Sequence, residues 1–294
     1  MPIFKGAGVA IVTPMKENGE VHFEKLNELI ETQIAAGTDA IIIAGTTGES
    51  ATLSMEEHHE VIRAAVEYTK HRIPVIAGTG SNDTPTAIQL TKEAEELGAD
   101  AALLVTPYYN KATQKGLLQH YGRIADETSL PLILYNVPGR TGTNIAAETM
   151  AELFRTKSNI VGLKDATGNF TQASKTMALT DGKLELYSGE DAIILPLLAI
   201  GAIGVISVWS NVAPKDVHDL VTLWLSGEEE KAREIQFKGL DLVDALFCEV
   251  SPGPVKEAMN LMGMNVGPLR SPLCGMEDKN REYLKKTMKE YGLL

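Results

Sequence analysis

Short apolar runs alternate with longer amphipathic segments along most of the chain. Eight runs rich in aliphatic and β-branched residues predict strands, at Gly8–Thr13, Ala40–Ala44, Pro74–Gly78, Ala101–Thr106, Leu132–Asn136, Ile160–Lys164, Leu184–Ser188 and Gly204–Val208. The intervals between them are long enough for a loop and one helix, and parallel strands require such a crossover. Eight strand–helix units therefore predict an α/β fold, a closed (β/α)8 TIM barrel rather than an open sheet.

The intervening segments carry signals for the ends of helices. Ser54–Glu57 has the spacing of a capping box, in which Ser54 and Glu57 satisfy each other's free backbone N–H groups. Thr84 is a candidate cap before Pro85 at the first helical position. Gly37 and Gly98 fit the positions just beyond helix ends, where glycine tolerates a left-handed conformation.

The barrel is expected to end near Gly227, so we assign residues 1–227 to it. Residues 228–294 contain three further helical patterns, at Glu228–Phe247, Val255–Met262 and Asp278–Tyr291. In the last of these, Leu284, Met288 and Tyr291 form an apolar stripe that needs a partner surface. We therefore expect a C-terminal helical appendage packed on the barrel rather than an independent unit.

Composition narrows the class of protein. The chain has 294 residues, a formal net charge of −12 and no basic patch, which argues against nucleic acid and anionic membrane surfaces as partners. The N-terminus lacks the layout of a signal peptide. Cys248 and Cys274 form no CxxC pair and are expected to be reduced, inert thiols in a cytoplasmic protein.

One apolar stretch is long enough to raise the possibility of a membrane span. Residues Ala192–Trp209 carry no formal charge. Pro196, Gly201 and Gly204 interrupt the stretch, however. It is better explained as a buried helix, a short turn and the last barrel strand.

A lysine ends one of the predicted buried strands. Lys164 follows the apolar run from Ile160 and precedes a glycine-containing loop. Strands buried on both faces are normally apolar throughout, and lysine is rarely buried unless it is paired or functional. Burial lowers the pKa of an amine, and a neutral amine can attack a carbonyl carbon. The alternative is an ordinary strand end, where Lys164 reaches solvent and pairs with Asp165 or a helix carboxylate.

Other polar residues follow the predicted strands, at the edge where barrel enzymes hold their active sites. They lie in the segments Gly45–Ser50, Thr106–Asn110, Tyr135–Gly142 and Ser188–Asp191. Each has a simpler explanation: the first is an ordinary turn, Tyr135 a core tyrosine and Arg140 a surface ion pair. Together with Lys164 they supply an amine nucleophile, hydroxyl proton carriers and a cation for a carboxylate. That set suits Schiff-base chemistry on a keto acid.

Three motifs make the chain resemble the dihydrodipicolinate synthase family, within the wider group of pyruvate-dependent class I aldolases and N-acetylneuraminate lyases. They are Gly45-Thr46-Thr47-Gly48-Glu49, Tyr135-Asn136-Val137-Pro138-Gly139-Arg140-Thr141 and Gly162-Leu163-Lys164-Asp165. The first and last mark the group, and the second is more specific to the synthase. The resemblance covers essentially the whole chain. It implies a lyase that condenses pyruvate with aspartate 4-semialdehyde to 4-hydroxy-tetrahydrodipicolinate in lysine and diaminopimelate biosynthesis.

The resemblance also implies the catalytic residues. Lys164 would form an imine with pyruvate, and Tyr135 would exchange protons during that step. Thr46 and Tyr109 would complete a hydroxyl relay, with Tyr109 donated across a dimer interface. The implied assembly is a homotetramer built as a dimer of dimers, with a dimer as the alternative. No cofactor is implied beyond the covalent imine itself.

Four further residues are implied to bind the substrates. Thr47 would hold the pyruvate carboxylate through its hydroxyl and backbone N–H. Arg140 would bind the carboxylate of aspartate semialdehyde, which the planar guanidinium suits. Gly189 and the carbonyl of Ile206 would line the pyruvate pocket.

The family often carries an inhibitory lysine site at a dimer interface. The residues that match its pattern here are Ser50, Ala51, His58, Asn82 and Tyr108. Met55 stands in place of a histidine and Thr86 in place of a glutamate. Loss of an acidic partner for the ammonium groups of lysine predicts weak binding, so the extent of feedback inhibition stays open.

The sequence also raises two other functions and a metal site as alternatives. A sister lyase cleaving sialic acid or a 2-keto-3-deoxy sugar acid would need hydroxyl-binding groups where Arg140 stands. A catalytically dead barrel that binds a metabolite would not need the Lys164, Tyr135, Thr46 and Tyr109 set. No metal is expected, because the adjacent His58 and His59 point about 100° apart on a helix and make a poor chelate. A solvated helix face is the better interpretation of that pair.

Overall fold

The computed structural model describes residues 1–294 and forms a closed barrel of eight parallel strands. The strands are β1 Gly6–Ala10, β2 Ala40–Ile43, β3 Val75–Gly78, β4 Ala101–Val105, β5 Leu132–Asn136, β6 Ile160–Asp165, β7 Glu185–Ser188 and β8 Gly204–Ser207. Each strand pairs with the next, and β8 pairs with β1. The predicted TIM barrel is confirmed.

The first strand differs most from its predicted bounds. It begins at Gly6 and ends at Ala10 instead of running from Gly8 to Thr13. The backbone leaves the sheet because the N–H of Val12 donates to the side-chain amide oxygen of Asn211, at 3.2 Å, and not to a neighbouring strand. The pattern of apolar residues cannot show that the backbone N–H of Val12 bonds to a side chain instead of to a neighbouring strand.

Nine helices belong to the barrel. They are α1 Phe23–Ala35, α2 Met55–Thr69, α3 Thr84–Glu96, α4 Gln114–Asp126, α5 Pro138–Thr141, α6 Ala147–Thr156, α7 Phe170–Leu179, α8 Ile194–Ala199 and α9 Pro214–Leu225. The capping box at Ser54 and Glu57 is present at the start of α2. The predicted cap of α3 is wrong: Asp83, not Thr84, accepts the N–H of Thr86. The hydroxyl of Thr84 is instead 2.9 Å from Nδ1 of His120.

The barrel holds an interior core distinct from the layer between strands and helices. Side chains such as Ile42, Ile76, Leu103 and Ile133 fill the interior, and Tyr135 joins them near the carboxyl-terminal ends of the strands. The apolar stretch noted above divides into α8 and β8, as predicted. No helix of the chain combines the length and the apolar character needed to cross a membrane.

Three helices follow the barrel: α10 Glu229–Leu246, α11 Gly253–Leu261 and α12 Asp278–Tyr291. Helix α10 packs against α9 and α12. The predicted stripe on α12 is buried, and the ring of Tyr291 meets that of Trp209 edge-on at 6.2 Å between centroids. Gly239 permits this packing, because a Cβ there would lie 2.3 Å from the Trp209 ring. The C-terminal helices therefore share a core with the barrel.

Candidate active site

Lys164 is buried near the carboxyl-terminal end of β6, with 6% of its surface exposed. It forms no ion pair, and the Oδ1 atom of Asp165 instead accepts the N–H and hydroxyl of Thr167, at 2.8 and 2.7 Å. The solvent-reaching, paired strand end considered above is therefore wrong. Burial lowers the pKa of Lys164 from 10.5 to about 7; Asp191 opposes this and the positive charge of Arg140 adds to it. A large share of this amine is uncharged at neutral pH.

Tyr135 lies beside Lys164 because their strands are neighbours and the two residues are partners in register. The Lys164 Nζ atom is 4.2 Å from the centroid of the tyrosine ring. Burial raises the pKa of Tyr135 to about 12, although Arg140 opposes this. The phenol is therefore protonated at neutral pH.

A cavity opens at this end of the barrel above Lys164. Its walls include six of the predicted residues, namely Thr46, Thr47, Tyr135, Arg140, Lys164 and Gly189. Its volume is about 80 Å³, on a scale where one water needs roughly 10–15 Å³. The cavity has room for a ligand of several heavy atoms, and its walls combine an amine, hydroxyls and a cation.

The segment Gly45–Ser50, which we call the threonine turn, carries Thr46 and Thr47 into this cavity. Thr47 is 5% exposed. The N–H of Glu49 donates to the Thr46 carbonyl at 3.1 Å and closes the turn. Glu49 adopts a left-handed conformation with φ of 55°, which is uncommon outside glycine. The turn thus presents hydroxyl and N–H donors of the kind that bind a small carboxylate.

Arg140 stands at the mouth of the cavity on the short helix α5. Its side chain is exposed and forms no ion pair with any carboxylate of the chain, so the surface ion-pair explanation is wrong. The nearest polar contact is from Nη2 to the carbonyl of Ser251, at 3.5 Å. A guanidinium without a protein carboxylate is available for the carboxylate of a ligand.

Gly189 lies against Lys164, as its predicted place in the pocket requires. A Cβ at this position would come within 3.0 Å of Lys164 Cγ and 2.9 Å of Ala166 Cβ. Ile206 is buried in β8 and belongs to the interior core together with Tyr135; it is absent from the residues that line the cavity.

Tyr109 is the one predicted catalytic residue that the chain does not bring to its own site. It is 91% exposed, has φ of 73° and does not line the cavity. Its N–H donates to the carbonyl of Thr141 at a long 3.4 Å. The loop therefore holds Tyr109 outward, away from the cavity of the same chain.

Sequence reasoning did not single out Asp191, which is fully buried just after β7. Its Oδ2 atom accepts the N–H groups of Val208 and Trp209, at 3.0 and 2.9 Å. Burial raises the pKa of this carboxyl group. The position of Asp191 just after a strand was a usable signal. Phe247 and Ser251 also line the cavity, and nothing in their local pattern indicated that role.

A second cavity beside the first contains most of the predicted lysine-site residues. It is lined by Ser50, Ala51, His58 and Tyr108, together with the two departures, Met55 and Thr86. Asn82 is absent from this lining, and its carbonyl accepts the amide of Asn110 at 2.8 Å. The cavity is thus built largely as the pattern predicts, but without the glutamate.

His58 corrects the expectation of a solvated helix face. It is 6% exposed, and its Nε2 atom lies 2.8 Å from the carbonyl of Gly78. Burial lowers the pKa of this histidine, which favours its neutral form. No group of three or more His, Cys, Asp and Glu side chains is arranged to hold a metal ion.

The chain matches a known protein family along almost its whole length. A family model described as the dihydrodipicolinate synthetase family matches residues 3–291. The chain belongs to this family. The resemblance based on three motifs is therefore confirmed.

Individual members of the dihydrodipicolinate synthetase family match over their full length. A 4-hydroxy-tetrahydrodipicolinate synthase of Lachnoclostridium phytofermentans is 57% identical over 294 residues, which covers 100% of both chains. The chloride-inhibited dihydrodipicolinate synthase of Acinetobacter baumannii, solved with pyruvate, is 46% identical, with a TM-score of 0.96 and 99% of each chain covered. The dihydrodipicolinate synthase of Cyanidioschyzon merolae, solved with lysine bound, is 41% identical, with a TM-score of 0.97 and 100% of each chain covered.

Proposed function

We propose that the protein is a 4-hydroxy-tetrahydrodipicolinate synthase, a lyase of the class I aldolase type that condenses pyruvate with aspartate 4-semialdehyde. The observation that carries the proposal is the unpaired, buried Lys164, whose pKa is lowered to about 7. The product feeds lysine and diaminopimelate biosynthesis, for which the cytoplasm is the setting we propose. A relative of 57% identity over its whole length bears the same name.

The first half of the reaction is imine formation. The neutral amine of Lys164 attacks the ketone carbon of pyruvate, and the Tyr135 phenol protonates the oxygen that leaves as water. The threonine turn holds the pyruvate carboxylate through Thr47, and Thr46 passes protons between Tyr135 and a second tyrosine. Loss of a proton from the methyl group then gives an enamine. The imine is made from the protein's own lysine, so the proposed reaction needs no added cofactor.

The second half joins the substrates. The enamine carbon attacks the aldehyde carbon of aspartate semialdehyde, and the new alkoxide takes up a proton. The amine of the semialdehyde then attacks the imine carbon and displaces Lys164, which closes the ring and restores the free enzyme. Gly189 borders the pyruvate moiety in this arrangement.

Arg140 favours this reaction over cleavage of a sugar acid. Its guanidinium lies at the cavity mouth and has no carboxylate partner in the chain. It can therefore bind the carboxylate of aspartate semialdehyde in a bidentate manner. A sugar lyase would need hydroxyl-binding groups at the same place, and a non-catalytic barrel would need no buried amine.

Assembly into at least a dimer completes the proposed site. Tyr109 projects from its own chain and is 91% exposed, which suits donation to the cavity of a second copy. The tetramer we propose is a dimer of such dimers, with the dimer as the alternative. Mixing Tyr109→Phe chains with Lys164→Ala chains should restore some activity, because each hybrid dimer contains one complete site. No recovery despite proven subunit exchange would place Tyr109 in the site of its own chain.

Borohydride trapping tests the chemistry. Incubation with pyruvate and borohydride should add a reduced pyruvyl group at Lys164, located by peptide mass spectrometry. Lys164→Arg should abolish the adduct, because guanidinium stays protonated. An adduct on another lysine would refute the mechanism. Product formation from pyruvate with aspartate semialdehyde, run beside an assay with sialic acid, tests the choice of second substrate.

A further inference from the structure

A buried ion pair joins the C-terminal region to the threonine turn. Lys256 on α11 is 1% exposed and Glu49 on the turn is 3% exposed. The Lys256 Nζ atom lies 2.8 Å from Glu49 Oε1. Burying two charges carries a desolvation cost, and apolar residues of similar volume are often as stable or more stable. Stability alone therefore does not explain the pair.

The hydrogen bonds around the pair fix its geometry. Besides Glu49, the ammonium of Lys256 donates to the carbonyls of Thr13, at 3.2 Å, and Pro268, at 2.6 Å. All three of its donors are therefore used. The second oxygen of Glu49 accepts the backbone N–H of Arg270 at 2.9 Å. Both oxygens of the carboxylate are thus held by residues that follow the barrel in sequence.

Fixing Glu49 also fixes the part of the threonine turn that faces the cavity. Its left-handed backbone is unfavourable for a residue with a side chain, and its N–H closes the turn on the Thr46 carbonyl. The hydroxyl of Thr13 donates to the Gly48 carbonyl at 2.7 Å, while the carbonyl of the same Thr13 accepts from Lys256. The backbone on either side of Thr47 is therefore tied to points that Lys256 reaches.

We propose that Lys256 is a positioning residue that, together with the backbone N–H of Arg270, acts through Glu49 to hold the threonine turn in the shape that binds the carboxylate of the first substrate. None of the three lines the catalytic cavity. The proposal rests on the proposed function in that it takes this substrate to be pyruvate. It predicts a selective defect. When the contact between Lys256 and Glu49 is removed, kcat/KM for pyruvate falls at least tenfold, while kcat/KM for aspartate semialdehyde changes less than threefold.

The test compares Lys256→Met with the double variant Lys256→Met/Glu49→Gln. The single variant leaves a buried carboxylate without its cation, and this can prevent folding. The double variant removes that charge, and its amide oxygen can still accept from Arg270. The matched control is Glu257→Gln, on the same helix, which breaks the ion pair between Glu257 and Arg281 of α12 and leaves the turn untouched.

Four readouts are taken on each folded variant: the pyruvate concentration that half-saturates borohydride trapping, hydrogen exchange of the peptide covering residues 45–50, kcat/KM for each substrate, and the melting temperature. The expected result is at least a tenfold higher pyruvate requirement and faster exchange in the double variant, with wild-type values in Glu257→Gln. A merely structural role would lower the melting temperature and both kcat/KM values in parallel. That pattern, or wild-type exchange and saturation in the double variant, would overturn the proposal.

The exchange measurement separates this inference from the proposed function. Absence of a Lys164 adduct in the wild-type protein would refute the proposed chemistry. Hydrogen exchange at residues 45–50 would still decide whether the C-terminal region holds the threonine turn. Faster exchange in the double variant supports the positioning role of Lys256, and unchanged exchange refutes it.

Discussion

Replacement of Lys164 by methionine should stabilise the protein by an amount that depends on pH. The pKa of Lys164 is lowered from 10.5 to about 7, mainly by burial. At 1.36 kcal/mol per pKa unit, this difference corresponds to roughly 5 kcal/mol of destabilisation while the amine is protonated in both states. Methionine fills a similar volume without a charge, so Lys164→Met removes this cost together with the nucleophile.

The direction of the pH effect follows from proton binding. Below pH 7 the folded and unfolded chains both carry the proton, and the full cost of burying the charge is present. Between pH 7 and 10.5 the unfolded chain binds the proton and the folded chain does not, so the stability of the wild type rises with pH. The free energy of unfolding of Lys164→Met should exceed that of the wild type by about 3 kcal/mol less at pH 9 than at pH 6.

Urea unfolding of both proteins at pH 6, 7, 8 and 9 measures this effect. Protein concentration must be held constant, because assembly contributes to the apparent stability. Lys183→Met serves as the control, since its side chain is 73% exposed and no buried charge is lost. A difference between wild type and Lys164→Met that stays constant from pH 6 to 9 would refute the lowered pKa and, with it, the abundance of the neutral nucleophile.

Four further outcomes are expected. The value of kcat/KM for pyruvate should rise as pH increases through about 7 and level off above, because only neutral Lys164 reacts; a flat profile from pH 5.5 to 8.5 would contradict this. Gly189→Ala should reduce imine formation roughly ten- to hundredfold, measured by borohydride trapping, because the new Cβ would lie 3.0 Å from Lys164 Cγ. Arg140→Ala should lower kcat/KM for aspartate semialdehyde about ten- to hundredfold, from the loss of roughly 1.5–3 kcal/mol of charge-assisted hydrogen bonding, with trapping by pyruvate retained. Millimolar lysine should inhibit weakly or not at all, because Met55 and Thr86 supply no carboxylate; half-inhibition well below a millimolar under saturating pyruvate would contradict this.

The last expectation depends on whether nearby acids can replace the missing glutamate. Glu49 is buried and bound to Lys256, and Glu57 is paired with Arg270. The pKa of Glu57 is lowered chiefly by its hydrogen bonds to that arginine. Both carboxylates already have cationic partners within the chain. Neither is free to bind the ammonium groups of a lysine ligand.

The arrangement of the barrel could be predicted because it depends on local patterns. Eight apolar runs with helix-length intervals require a parallel sheet, and the active-site edge of a barrel follows from the direction of its strands. Lys164 and Gly189 could therefore be assigned to one cavity, because Lys164 lies near the end of β6 and Gly189 directly follows β7. Strand bounds were less predictable, because the end of β1 depends on a bond to Asn211, which is distant in sequence.

Contacts made by distant residues explain what the sequence could not show. Lys256 is followed directly by Glu257, and nothing in that pair of charges tells which side chain is buried and which meets α12. His58 likewise lies in a run of polar residues but packs inward against the Gly78 carbonyl. The contribution of Phe247 and Ser251 to the cavity arises only when the C-terminal helices fold over the barrel mouth.

The buried pair between Glu49 and Lys256 also has a consequence for biosynthesis on the ribosome. The two residues are 207 positions apart, so Glu49 is synthesised long before its cation. Translation at roughly 5–20 residues per second leaves that carboxylate without its partner for about 10 to 40 seconds. During this interval the threonine turn, which follows β2, lacks the contact that buries Glu49. The contact that we propose to position the first substrate therefore forms among the last steps of chain synthesis, and a chain released before α11 lacks this contact even if its strands have paired.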